Sequence, residues 1–210
     1  MSFQLHRGDL PATVSFGASV AVDTETTGLS LFRDRLCTVQ LSAGHGEAHI
    51  VQVGGDIGYE CPNLKKIMAD PGVLKIFHFA RFDVAMMKRW LNVDVAPVYC
   101  TKIASLLSRT NTERHSLKDV VSTQLGIHLD KEQQTSDWAG DNFSKEQLAY
   151  AANDVLYLHE VKSKLDALLE REGRTHIAQA CFNFLPTRAE MDLLDWEKMD
   201  IFSHDPHNKG

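Results

Sequence analysis

The stretch SVAVDTETTGLSLFRDRLCTVQLSAGHGEAHIVQV, residues 19–53, decides the fold. Residues 19–24 (SVAVDT) read as a buried strand that ends in polar residues. Residues 35–42 (RLCTVQLS) and 48–53 (AHIVQV) are two more β-rich runs, and the glycine-containing turn AGHGE between them predicts antiparallel neighbours. The end of the first strand is unusual for a core element, because Asp23 and Glu25 stand at i and i+2. In an extended strand those side chains share a face, so the two carboxylates lie side by side. Two anions that close repel unless a cation lies between them, and hard oxygen donors in that arrangement suit magnesium or manganese. A solvated strand end turning into TTG accounts for the pair equally well when it is taken alone.

Downstream, PNLKKIMAD places Pro62 near a helix N-terminus. Residues 73–79 (VLKIFHF) predict another strand, residues 81–91 (RFDVAMMKRWL) a helix, VYC at 98–100 a short strand, and TKIASLLSR a helix. From residue 116 the pattern turns helical. SLKDVVSTQLG opens on an N-cap serine and stops at Gly126. SKEQLAYAANDVLYLHEVKSKLDALLEREG reads as one long amphipathic helix, with Ser144 and Gln147 as a capping box and Gly173 as its stop. The expected class is α/β: a mixed sheet of a three-strand antiparallel meander plus strand–helix alternations, flanked by helices, with a helical C-terminal part. A single domain over residues 1–210 is expected, with its core at about 18–170 and a helical, apolar tail at about 174–203.

Bulk properties narrow the function. With 210 residues, 43% of them hydrophobic, the chain can bury one α/β core but not two ordinary domains and a linker. No basic stretch followed by an apolar run opens the sequence, and no window is apolar enough for a membrane span, so neither a secretory leader nor a membrane partner is expected. The four cysteines, Cys37, Cys61, Cys100 and Cys181, are scattered and none has zinc-ligand spacing, which suits a reducing cytoplasm. The net charge is −6 and no block of lysine and arginine is present. Tracking a long nucleic acid calls for a basic stripe. Either nucleic acid is not the partner, or the contact is short and metal ions supply the positive charge.

Two further acidic positions bear on that choice. Asp83 lies in HFARFDVAMM among Phe79, Phe82 and Val84, where a first-turn carboxylate favoured by the helix dipole is the plainer explanation. Tyr150 and Asp154 stand at i and i+4 on one helix face, surrounded by Leu148, Ala151, Ala152, Val155, Leu156 and Leu158. Alone, that pair reads as a half-buried tyrosine beside a surface aspartate. Together the reading inverts: four carboxylates on core-facing points of one small fold are costly unless shared metals neutralise them.

VDTETTGL, HFARFDV and YAANDV, in that order, resemble the three motifs of the DEDD superfamily of 3′→5′ exonucleases. The Y-x-x-x-D spacing of the third marks the tyrosine subclass, which includes ribonuclease D. KEQQTSDWAGDNFSKEQLAYAANDVLYLH is similar to ribonuclease D through the whole third-motif region, and the likeness covers roughly residues 18–170. The C-terminal stretch ACFNFLPTRAEMDLLDWEKMDIFSH and the opening HRGDLP resemble the small nanoRNase C (NrnC) group of bacterial proteins. The resemblance implies an RNase H-like sheet, two divalent cations (Mg2+ or Mn2+), very short single-stranded RNA such as dinucleotides as substrate, 5′-mononucleotides as products, and a ring-like homo-oligomer, with an octamer as one form.

It also implies individual roles. Asp23 would bridge both cations, Glu25 and Asp154 would bind the nucleophile-side ion, and Asp83 would act mostly through waters on the other. Tyr150 would orient the attacking water. Leu29 matches the apolar wedge that separates terminal bases in related exonucleases; an ordinary turn leucine fits equally. Thr24 and Thr26 would offer backbone amides to the terminal sugar. Arg81 could bind a phosphate, while His78, between Phe77 and Phe79, reads more simply as a core histidine. Lys102, Arg109, Arg114 and His115 are weaker phosphate candidates. Gln133, Gln134 and Trp138 match the ribonuclease D pattern before the third motif. The alternatives are a general RNA- or DNA-trimming 3′→5′ exonuclease, a catalytically dead binding module, and an assembly protein acting through its aromatic tail. The presence of all four carboxylates and Tyr150 argues against a dead site.

Overall fold

A computed structural model of the chain describes residues 2–129 and 136–204. Its strands are β1 (Ser2–Arg7), β2 (Ser19–Thr26), β3 (Leu36–Ser42), β4 (Glu47–Gln52), β5 (Leu74–Phe77) and β6 (Val98–Cys100). They form one mixed sheet in the order β1-β4-β3-β2-β5-β6. The expected antiparallel meander is its centre, with β3 paired to β2 on one side and β4 on the other. β5 and β6 then extend the sheet in parallel beyond β2. Parallel neighbours need crossovers, and helices α1 (Pro62–Ala69) and α2 (Ala80–Leu91) precede β5 and β6 respectively. Every residue of β3 is buried, so the sheet is covered on both faces.

Two features depart from the sequence pattern. β1 is an additional strand, parallel to β4 from Ser2 opposite Glu47 to Arg7 opposite Gln52. It is an edge strand with no fully buried residue, and its alternation is only two apolar residues long, Phe3 and Leu5. The long helix expected from residue 144 is two helices, α5 (Lys145–Leu156) and α6 (Leu158–Arg171), which meet at Tyr157. α5 packs on β1 to β4, whereas α6 packs on α3 (Thr101–Ser108) and α4 (Leu117–Leu125). One straight rod cannot reach both surfaces. No proline or glycine marks the break, so the helical period runs through it unbroken.

The caps follow the sequence. Ser116 accepts from the Asp119 amide, Gly126 takes a left-handed conformation at φ 72°, and Ser144 and Gln147 form a capping box. The C-terminal part is α7 (Thr175–Leu193), which buries Phe182 and Leu185 and packs on α2 and β6. Among the described residues no helix is long and apolar enough to cross a membrane.

Candidate active site

Three elements converge at the end of β2. β2 supplies Asp23 and Glu25, the first turn of α2 supplies Asp83, and α5 supplies Tyr150 and Asp154 one helical turn apart. Asp23, Glu25 and Asp154 each offer a carboxylate oxygen, and these atoms lie within 4.8 Å of one another. Asp83 is buried beside them, and the Thr24 hydroxyl donates to its Oδ1 at 2.6 Å, tying α2 to the strand that carries the other two acids.

The electrostatics of this cluster oppose its own ionisation. Burial, then the charges of Asp83, Asp154 and Glu25, push the Asp23 carboxyl well above its ordinary range. Burial, then Asp154 and Asp83, push Glu25 up to about 9. Burial pushes Asp83 up to about 7, against the pull of the Thr24 hydrogen bond. A divalent cation among these oxygens reverses the balance, because it favours the charged form of every acid that touches it. The donor set is all carboxylate oxygen, crowded and mutually repulsive, so the residues present fit a hard cation such as Mg2+ or Mn2+.

Tyr150 lies against the same acids. Burial and the negative charges of Asp154 and Glu25 raise its phenol above the ordinary value, and its hydroxyl is hydrogen-bonded to Asp154. The phenol therefore keeps its proton and is a donor at the site. Its ring lies 6.5 Å from that of Trp138.

These groups line a cleft of about 600 Å³. Leu29 stands in its wall with 85% of its surface exposed, so it is a turn leucine that no core claims. The loop that carries it is held by Asp34, whose carboxylate accepts from the Ser30 amide at 2.9 Å and lies against Gly28. A Cβ on Gly28 would sit 2.5 Å from Asp34 Oδ2, which accounts for the glycine in the TTGL motif. Thr24, Thr26 and His78 also reach the cleft. His78 Nδ1 lies 2.9 Å from the Thr101 hydroxyl, its ring also meets the His115 backbone, and burial pushes its pKa down to about 4.

Not every expected residue arrives. Arg81 is turned away: its guanidinium binds both carboxylate oxygens of Asp192 and donates to the Glu197 carbonyl at 2.8 Å. Arg109 and His115 are occupied with each other's surroundings, both bonded to the Ser105 hydroxyl, and Arg109 also donates to the Arg114 carbonyl. Lys102 and Trp138 do line the cleft. Gln133 and Gln134 lie outside the described residues. The sequence reading missed Phe79 and Lys118, which also line it. The strand expected to run to Phe79 stops at Phe77, and Phe79 takes a left-handed conformation at φ 69° before α2, with Lys102 Nζ 4.4 Å from its ring centre. Nothing local in the sequence signals that turn.

Comparison with known proteins matches this architecture to a family. The family model described as 3′-5′ exonuclease matches residues 9–170. Ribonuclease D of Gluconacetobacter diazotrophicus is 34% identical over 155 residues, covering 74% of this chain and 39% of that protein. The chain thus spans about two fifths of the length of that curated relative. NrnC of Brucella melitensis is 50% identical, with 98% of this chain and 100% of that chain covered at a TM-score of 0.94; structures of it with bound Mg2+ and bound to pGG match equally well in fold, at TM-scores of 0.93 and 0.94. Escherichia coli RNase D shares the fold at 23% identity, with a TM-score of 0.72 over 83% of this chain and 45% of that one. The chain belongs to the 3′-5′ exonuclease family, in its DEDD-type, ribonuclease D-like branch beside NrnC.

Proposed function

We propose that this chain is a two-metal-ion 3′→5′ exoribonuclease that hydrolyses very short RNAs, dinucleotides above all, to 5′-mononucleotides. The observation that carries the reading is the set of carboxylate oxygens of Asp23, Glu25 and Asp154 within 4.8 Å, with a protonated Tyr150 bonded to Asp154 beside them. Asp23, Glu25, Asp83 and Asp154 hold the cations, Mg2+ or Mn2+. When bound, these ions supply an activated water and neutralise charge on the phosphate. Tyr150, whose proton goes to Asp154, hydrogen-bonds and orients that water. Leu29 separates the terminal bases, and the backbone at Thr24 and Thr26 meets the terminal sugar. His78, in the cleft wall, borders the substrate. Arg81 is spent on Asp192, so the second phosphate falls to Lys102 and Lys118, both in the cleft wall.

Substrate length follows from size and charge. A cleft of about 600 Å³ is a small-molecule site rather than a groove for a strand. The net charge of −6 is poorly suited to holding many phosphates. The NrnC relative, matched over its full length, is known bound to pGG and with Mg2+. The same reading makes the protein a single exonuclease unit of the cytoplasm with free thiols, and a ring-like homo-oligomer. Leu194, Trp196 and Phe202 support assembly, since they stand exposed near the C-terminus.

The test is initial rate against length on end-labelled RNAs from two nucleotides upward, with Mg2+, Mn2+ or EDTA. Two-residue RNAs should be cleaved with the highest kcat/KM, and EDTA should abolish cleavage. Full activity in EDTA sinks the metal mechanism. Rates that rise with length favour a general RNA- or DNA-trimming exonuclease instead.

A further inference from the structure

Beneath the acidic cluster lies a stripe of polar side chains that this fold does not need. β3 is buried at every position, yet it carries Thr38 and Gln40, both fully shielded from solvent. The register sets them directly opposite the acids: Gln40 pairs with Asp23, and Thr38 with Glu25. Partners opposite one another in an antiparallel pair share a face, with Cβ atoms about 4.5–5.5 Å apart. Along β3 the two are joined, because Gln40 Nε2 donates to Thr38 Oγ1 at 2.6 Å. The row continues to Gln52, opposite Thr38 on β4, whose Nε2 donates to the carbonyls of Gly140 and Asp141 just before α5.

Among the described residues half of the Gln40 amide has no partner: Oε1 is buried and accepts from none of them. A buried amide with one end unmet is costly, and leucine of similar shape would fill the same space without that cost. A site that must hold crowded carboxylates in a fixed geometry has a use for it, since groups behind the ligands set ligand orientation. Gln40 donates to the Thr38 oxygen, which fixes that side chain directly across the strand pair from Glu25.

We propose that Gln40 and Thr38 are positioning residues that act through Glu25 and Asp23 to hold the cation-binding geometry. The proposal rests on the exonuclease reading of the site. Neither residue touches substrate. Gln40 fixes the Thr38 side chain, and the pair braces the strand face on which Glu25 and Asp23 stand.

The experiment measures Mn2+ affinity by the electron paramagnetic resonance of free Mn2+, with melting temperature in EDTA recorded alongside. Wild type should bind Mn2+, and Asp23→Ala should not. Gln40→Leu and Thr38→Val should each weaken Mn2+ binding by about tenfold, while Thr38→Ser retains wild-type affinity. Gln40→Leu should melt in EDTA at or above wild type. Undiminished affinity in either Gln40→Leu or Thr38→Val overturns the proposal, as does Thr38→Ser binding no better than Thr38→Val. A lower melting temperature with unchanged affinity marks a purely structural role and also overturns it. If Gln40→Leu fails to fold, the Thr38→Val and Thr38→Ser pair decides alone. Wild type that binds no Mn2+, or Asp23→Ala that binds it undiminished, overturns the site reading and this proposal with it.

Discussion

Asp154→Asn should remove the response to divalent cations and, with no cation present, stabilise the protein. The carboxylate oxygens involved lie within 4.8 Å of one another. At that separation and an effective dielectric of about 20, each ionised pair repels by about 3.5 kcal/mol. The cation-free protein escapes part of this by keeping protons: Glu25 is raised from an ordinary 4.5 to about 9, and Asp83 from 3.8 to about 7. A raised folded-state pKa gives stability that is complete below the unfolded value and is lost as pH climbs through the folded one. Cation-free protein should therefore lose stability from about pH 4 to about pH 9. Asparagine removes one repelling charge but not the burial, which is the larger cause for Glu25. The gain is then a fraction of the pair energy, on the order of 2 kcal/mol at pH 8, or roughly 4–8 °C in melting temperature for a chain of this size.

The assay is thermal melting of wild type and Asp154→Asn in EDTA at pH 8 and pH 5, followed by titration with Mg2+. At pH 8 the variant should melt higher in EDTA. At pH 5 the gap should narrow, because Asp83, raised to about 7, is then protonated in the folded wild type as Glu25 already is at pH 8. Mg2+ at about 100 times its dissociation constant should stabilise wild type by roughly 2.7 kcal/mol and the variant hardly at all. A variant that melts at or below wild type in EDTA at pH 8, or that keeps the full Mg2+ shift, refutes the argument that these acids are held together for a cation.

Tyr150→Phe keeps the ring against Trp138 but deletes the hydroxyl bonded to Asp154, so kcat should fall by on the order of 10²-fold with KM little changed; an unaltered kcat returns Tyr150 to packing. Gly28→Ala should push Asp34 off the loop that carries Leu29 and lower kcat/KM by about tenfold or more, with Mn2+ affinity retained; a wild-type rate shows that the loop adapts. Asp192→Ala leaves Arg81 and Arg188 without their shared carboxylate, which is 2% exposed, and should cost about 3 kcal/mol, read as a lower melting temperature; an unchanged melt refutes the anchoring role.

Local chemistry made the centre of the molecule legible. Asp23 and Glu25 share a strand face by simple alternation, and Tyr150 and Asp154 share a helix face by simple period, so short-range rules suffice to point all four at something. The antiparallel meander and the caps at Ser116, Gly126 and Ser144 were readable for the same reason. β1 was not, because an edge strand with two alternating apolar residues, Phe3 and Leu5, and none fully buried is too short a signal. The break at Tyr157 was not, because it is imposed by the two surfaces that α5 and α6 cover and not by any residue at the joint. Gln40 and Thr38 passed as ordinary members of a β-rich run, and only the register places them against the acids.

Arg81 shows how a residue near a motif can serve it from behind. Two positions before Asp83 in the chain, it has the charge and place of a phosphate ligand. Its partner Asp192 is 111 residues further on, in α7, where no local pattern can reveal it. The clamp has a consequence for the site. α2 presents Asp83 to the cluster and is pinned at two points: at β2 by the Thr24 hydrogen bond, and at α7 by the Arg81–Asp192 pair. Arg188, one turn before Asp192, adds a second guanidinium at 3.0 Å, so the buried carboxylate is neutralised from both sides. α7 is therefore part of what sets the position of Asp83, although none of its residues lines the cleft. The C-terminal helix supports the chemistry through α2, by holding the first turn of the helix that carries Asp83.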